Sequence, residues 1–198
     1  MKMILSCCLA IVLITGSFTN PISKCSVSGR LISGTISASA SEIYRDTFID
    51  GHKYRIRSYI GNGKYYIGTA NNKSTSKTNV EIVSKKDSSS IWTAHYSAKY
   101  DAWYFTLGNT NMALNPFADK GKVKNKTNVN LYKLQKNDPT QTFTIYPYSD
   151  GTYSFGCFDN PDLCLEISGY SSNATKGTNI RLYKESYDFT QRWYVDPV

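Results

Sequence analysis

The sequence predicts an all-β fold in which one four-stranded unit is written three times, and three observations predict it. A Thr-Asn dipeptide recurs at Thr78-Asn79, Thr127-Asn128 and Thr178-Asn179, with separations of 127 − 78 = 49 and 178 − 127 = 51 residues. Regular spacing of that size marks a repeat architecture. Each dipeptide leads to a closing aromatic, Trp92, Phe143 or Trp193, after 92 − 78 = 14, 143 − 127 = 16 and 193 − 178 = 15 residues. From Phe48 onward the chain is a series of short runs rich in Tyr, Val, Ile, Phe and Trp, separated by clusters of Gly, Asn, Asp and Ser. That texture belongs to strands and turns, and no stretch offers a helical period.

Ahead of the repeats, Lys2 precedes an apolar run from Ile4 to Ile14, followed by the small residues Thr15, Gly16, Ser17 and Thr19. Residues 1–19 therefore read as a secretory signal peptide, and the product as secreted, extracellular or cell-surface. The run is short for a membrane-spanning helix and no later segment is longer, so no transmembrane segment is expected. Residues 20–47, rich in Ser and containing Gly29 and Gly34, read as a flexible arm or propeptide. Residues 48–198 form the folded domain.

Within it the first repeat predicts strands over 54–59, 65–67, 80–83 and 91–96. The second predicts them over 103–107, 112–114, 129–132 and 143–146, and the third over 153–155, 163–167, 180–183 and 192–195. The segments Gly61-Asn62-Gly63-Lys64, Gly108-Asn109-Thr110-Asn111 and Ser149-Asp150-Gly151 stand where the chain reverses and accepts positive φ. Trp103, Phe105 and Leu107 alternate with more polar neighbours and point one aromatic face inward. Three four-stranded units, none able to bury its apolar face alone, pack around a pseudo-threefold axis, which is the β-trefoil. Trp92, Phe143, Trp193, Leu114, Leu131, Leu165 and Leu182 are the expected core.

The 198 residues carry a formal charge of +8 and a pI near 9.1, partly as the alternating run Lys120, Lys122, Lys124 and Lys126. A basic surface on a secreted protein suits sulfated or sialylated glycans better than nucleic acid, while the plainer reading is a solvated loop. Of the five cysteines, Cys7 and Cys8 fall in the signal, Cys157 and Cys164 are the natural disulfide pair, and Cys25 is left over. His52 and His95 are well separated and no Cys-x-x-Cys occurs, so neither a metal site nor a cofactor is expected. The absence of a nucleophile motif or a recognisable carboxylate pair argues against an enzyme.

In the third repeat, Cys164-Leu165-Glu166-Ile167, then Gly177-Thr178-Asn179-Ile180-Arg181-Leu182-Tyr183-Lys184, then Gln191-Arg192-Trp193 resemble the repeat unit of ricin B-type lectins. The resemblance spans about residues 54 to 198. It is weaker in the second repeat, where Phe143 replaces the Trp, and weakest in the first, where Ser90-Ile91-Trp92 lacks the Gln. It implies a non-catalytic β-trefoil lectin that binds galactose-type or related glycans through shallow pockets, one per repeat. It also implies a principal site at Glu166, Arg181, Tyr183, Thr190 and Gln191, where a carboxylate and amide meet sugar hydroxyls and a ring stacks on the sugar's C–H face. A weaker one would use Asn115, Asn130, Tyr132 and Gln141, and the first repeat, with Val83 at the aromatic position, would have none. Gln191 and Gln141 are equally readable as internal braces, Tyr183 and Tyr132 as ordinary strand residues, and Arg181 as a bridge to Glu166.

Asn72, Asn125 and Asn173 head N-glycosylation sequons, one in the corresponding loop of each repeat. The residues leave open a protein-interaction trefoil such as a protease inhibitor or adhesin, a sulfated-glycan binder using Lys120 to Lys126, and a partner toxin or enzyme subunit tethered by Cys25.

Overall fold

The computed structural model describes residues 26–27, 30–31, 47–118, 121–169 and 174–198. Two units divide at Ala38/Ser39. In the first, strand β1 (Ser26–Val27) pairs antiparallel with β2 (Arg30–Leu31), so the segment read as a flexible arm contains a minimal ladder. The signal-peptide segment, the rest of the arm with Cys25, and Lys120 and Asn173 lie outside the described residues.

The second unit contains the twelve predicted strands. The first repeat supplies β3 (Lys53–Ser58), β4 (Tyr65–Thr69), β5 (Val80–Ser84) and β6 (Trp92–Ser97). The second supplies β7 (Ala102–Leu107), β8 (Met112–Pro116), β9 (Val129–Lys133) and β10 (Phe143–Pro147). The third supplies β11 (Tyr153–Cys157), β12 (Leu163–Ile167), β13 (Ile180–Lys184) and β14 (Trp193–Pro197).

The outer strands of each repeat close a six-stranded barrel in the antiparallel order β3-β6-β7-β10-β11-β14 and back to β3. Closure removes the unpaired edges that an open sheet would expose. The inner strands form three hairpins, β4–β5, β8–β9 and β12–β13, that cap one end. Isolated bridges Asn79–Asn130, Asn128–Arg181 and Glu81–Asn179 join the hairpins around the axis. The backbone repeats the symmetry: the N–H groups of Lys77, Lys126 and Gly177 donate to the carbonyls of Leu131, Leu182 and Ile82 at 2.7–2.9 Å. All three donors have positive φ, a conformation that Gly177 adopts without the steric cost borne by Lys77 and Lys126.

Alternating residues fill the interior. Ile56, Phe105 and Phe155 come from the first strand of each repeat, Ile67, Leu114 and Leu165 from the second, Ile82, Leu131 and Leu182 from the third, and Trp92, Phe143 and Trp193 from the fourth; all are fully buried. The two indoles also donate to carbonyls, Trp92 to Ile67 at 2.9 Å and Trp193 to Leu165 at 3.3 Å. Phe143 fills the same place without a polar hydrogen. Phe48 packs its ring against Tyr54, Trp103, Phe105 and Phe155, which come from all three repeats.

One expectation is corrected. Cys157 and Cys164 are separate buried thiols, not a disulfide. Cys164 stands opposite Gly156 across the β11–β12 ladder, so Cys157, one residue further on, projects from the other face of the sheet. Cys157 joins the central core, which does not include Cys164. Burial pushes the two thiols up to about 11 and about 12, respectively.

Candidate functional site

In the third repeat, β12 carries Glu166 as its penultimate residue, and β13 carries Arg181 directly opposite it and Tyr183 two residues later. Arg181 donates through Nε and Nη2 to Glu166 Oε1 at 3.0 and 2.7 Å. Gln191 Nε2 donates to Glu166 Oε2 at 2.9 Å and to the Lys184 carbonyl at 3.0 Å, while its Oε1 accepts the Ser186 N–H. The Glu166 side chain is 5% exposed and that of Arg181 21%. Removing a partner from such a buried pair leaves a charge uncompensated, so each group orients the other. Arg181 also lies over the Tyr183 ring, 4.6 Å from its centroid.

The open side of this cluster is a cleft of about 350 Å³ lined by Glu166, Gly169, Arg181, Tyr183, Ser186, Asp188 and Thr190. Asp188 Oδ1 accepts from the Thr190 N–H at 2.9 Å and its hydroxyl at 3.0 Å, shaping the single turn of 3₁₀-helix over Phe189–Gln191 that leads into Trp193. Four of the five predicted residues, Glu166, Arg181, Tyr183 and Thr190, thus share the cleft. The fifth, Gln191, is fully buried behind Glu166 and acts as a brace.

The second repeat is built on the same plan with neutral groups. Asn115 Nδ2 donates to Asn130 Oδ1 at 3.0 Å, Gln141 Nε2 donates to Asn115 Oδ1 at 3.0 Å, and Gln141 Oε1 accepts the Gln135 N–H. Asn115, Asn130 and Gln141 are all buried. Its cleft, about 580 Å³, is lined by Asn115, Phe117, Tyr132, Asp138 and Thr140, together with Lys77 from the first repeat. Asp138 holds Thr140 as Asp188 holds Thr190.

In the first repeat the corresponding space is filled. A Cβ on Gly68, which aligns with Asn115 and Glu166, would meet Val83 at 2.4 Å and the Ser89 hydroxyl at 3.0 Å. Asp87 faces inward there. It accepts from the Ser84 N–H and hydroxyl and from the Asn72 amide, and pairs with Lys176 of the third repeat at 3.1 Å. Burial works against its charge, yet the Ser84, Asn72 and Lys176 contacts hold the carboxyl down to about 2.

Sequence reading missed this aspartate in all three repeats. Its signal was present, since Asp87, Asp138 and Asp188 each stand five residues before Trp92, Phe143 and Trp193 (92 − 87 = 143 − 138 = 193 − 188 = 5). Of the other residues singled out, Lys122, Lys124 and Lys126 are exposed around the buried Val123. Asn125 accepts the Lys184 N–H at 3.0 Å, placing its sequon at the far end of β13, and Asn72 is tied to Asp87 and Ser89. Among the described residues no cluster of His, Cys, Asp and Glu suits a metal, and no helix is long and apolar enough to cross a membrane.

Three solved structures share this architecture. A designed threefold-symmetric protein, ThreeFoil, aligns at TM-score 0.64 and 17% identity over 75% of this chain and 100% of its own. The Rhizoctonia solani agglutinin aligns at TM-score 0.63 and 12% identity over 76% of this chain and 98% of its own. The Macrolepiota procera ricin B-like lectin, solved with lactose, aligns at TM-score 0.60 and 16% identity over 76% of this chain and 99% of its own. No protein-family model and no curated protein sequence matches the chain. At these identities the likeness is one of fold alone, and the fold is a β-trefoil.

Proposed function

We propose that this protein is a secreted, non-catalytic lectin that binds galactose-type glycans chiefly through the third-repeat cleft. The observation that carries the reading is the convergence of Glu166, Arg181, Asp188, Thr190 and the Tyr183 ring on one open cleft of sugar-sized volume. Carboxylates accept from vicinal hydroxyls, a guanidinium donates to them, and fixed partners hold both at their positions before a ligand arrives. Arg181 Nη1, which makes no hydrogen bond among the described residues, is the donor left for a ligand. That neighbouring trefoils are lectins, one of them holding lactose, supports the same reading.

The second-repeat cleft is proposed as a weaker site. Phe117, 54% exposed at its wall, offers apolar surface beside Tyr132, but the neutral Asn115 and Asn130 replace the charged pair. The exposed Lys122, Lys124 and Lys126 favour a salt-sensitive contribution from anionic glycans.

The test is retention on galactose resin combined with backbone-amide mapping during lactose titration. Shifts should centre on Glu166, Tyr183, Ser186, Asp188 and Thr190, and Tyr183→Ala should abolish retention at an unchanged melting temperature. Absence of both retention and shifts in the wild-type protein would sink the proposal.

A further inference from the structure

Tyr187 is 66% exposed and makes no hydrogen bond, ring contact or cation contact among the described residues. Its backbone sits at φ 58, the left-handed region that a bulky residue avoids. The second repeat has Asn137, at φ 63, immediately before its own aspartate. Asparagine adopts this conformation readily, so the third repeat bears a backbone cost there that its sister avoids.

The chain around Tyr187 is fixed from both sides. The Glu185 N–H donates to the Asp162 carbonyl at 3.0 Å, and the Ser186 N–H to Gln191 Oε1 at 2.9 Å. Asp188 is tied to Thr190, and Phe189 stacks on Tyr59 with centroids 4.9 Å apart and planes inclined by 20°. A rigid frame thus presents an aromatic ring with no partner among the described residues. Its flanking residues, Ser186 and Asp188, both line the third-repeat cleft, whereas Tyr183 inside the cleft already has Arg181 over its ring.

We infer that Tyr187 is a glycan-binding residue at the rim of this cleft, stacking on the second sugar of a disaccharide whose terminal residue occupies the cleft. The inference rests on the proposed glycan-binding role of the third repeat and names its ligand class: a disaccharide or longer chain rather than a single sugar. Aromatic rings recognise the apolar C–H face of a pyranose in the way they recognise other slightly positive edges. A ring already held in place loses little freedom on binding.

The test compares lactose with galactose by calorimetric or amide-shift titration of wild type, Tyr187→Asn and Tyr187→Phe. Tyr187→Asn copies the second repeat at a position where asparagine is at ease, so it should melt no lower than wild type. Its lactose affinity should fall by about ten-fold while its galactose affinity changes by less than about two-fold, and Tyr187→Phe should retain both. Unchanged lactose affinity in Tyr187→Asn overturns the inference and leaves the cleft assignment standing, as does an equal loss for both sugars. A wild-type protein that binds neither sugar overturns the cleft assignment and this inference together.

Discussion

The aspartate that recurs five residues before each closing aromatic shows how neighbours set a side chain's role. Asp138 and Asp188 spend one oxygen on a threonine and border open clefts. Asp87 is enclosed by Ser84, Asn72 and Lys176 and held down to about 2 from an ordinary 3.8. A carboxyl depressed in the folded state adds stability that is complete above its ordinary value and disappears as pH falls through its folded value. The window for Asp87 therefore runs from about pH 4 down to about pH 2, and its contribution is about 2 kcal/mol. Urea unfolding of Asp87→Asn across that window should show a shallower acid loss than wild type by about this amount. Parallel slopes would show that another group controls acid stability.

At the level of the strand, register decides what spacing alone leaves open. Cys157 and Cys164 enclose a short loop and look like a pair, yet the Gly156–Cys164 register puts their sulfurs on opposite sides of the β11–β12 ladder. Both thiols are buried and raised, so they should resist alkylation in the native protein and react fully once unfolded without reductant. Peptide mapping that finds a 157–164 disulfide would contradict this register. The same logic separates the clefts. Glu166 faces Arg181, Asn115 faces Asn130 and Gly68 faces Glu81, so one cross-strand position becomes an ion pair, an amide pair or a glycine that leaves Val83 room to fill the space.

For the whole molecule, the three Thr-Asn dipeptides that reveal the repeat also assemble its axis. Asn128 Nδ2 donates to Asn79 Oδ1 at 3.0 Å, and Asn179 Nδ2 donates to Asn128 Oδ1 at 2.8 Å. The ring stops there, because the Asn179 Oδ1 is buried without a partner among the described residues. Asn128 takes part in both bonds and Asn79 in one. Asn128→Ala should cost about 2 kcal/mol and Asn79→Ala about 1 kcal/mol, read from denaturant midpoints. Equal losses would show that the triad does not couple the repeats in this way. Phe48 performs the complementary task within the barrel, where a single ring touches side chains from all three repeats.

The repeat number, the twelve strands and the apolar core were legible in the amino-acid sequence because each is a periodic property of a single line of residues. Alternation exposes a strand's buried face, and a recurring Thr-Asn dipeptide exposes the repeat. The predicted strands stop two residues short of the ends of β4, β8, β11 and β14, and in the first three burial no longer tracks hydrophobicity: Thr69, Asn115 and Gly156 are all buried. The candidate site was legible in part. Glu166, Arg181, Tyr183 and Thr190 were implied by the resemblance and do share a cleft, but only the folded chain shows that Arg181 and Gln191 satisfy both oxygens of Glu166. Which polar groups satisfy one another, which ring is covered and which way a thiol points depend on pairings between strands and between repeats. Those pairings are fixed by closing the barrel and its cap, and no local stretch of sequence encodes them alone.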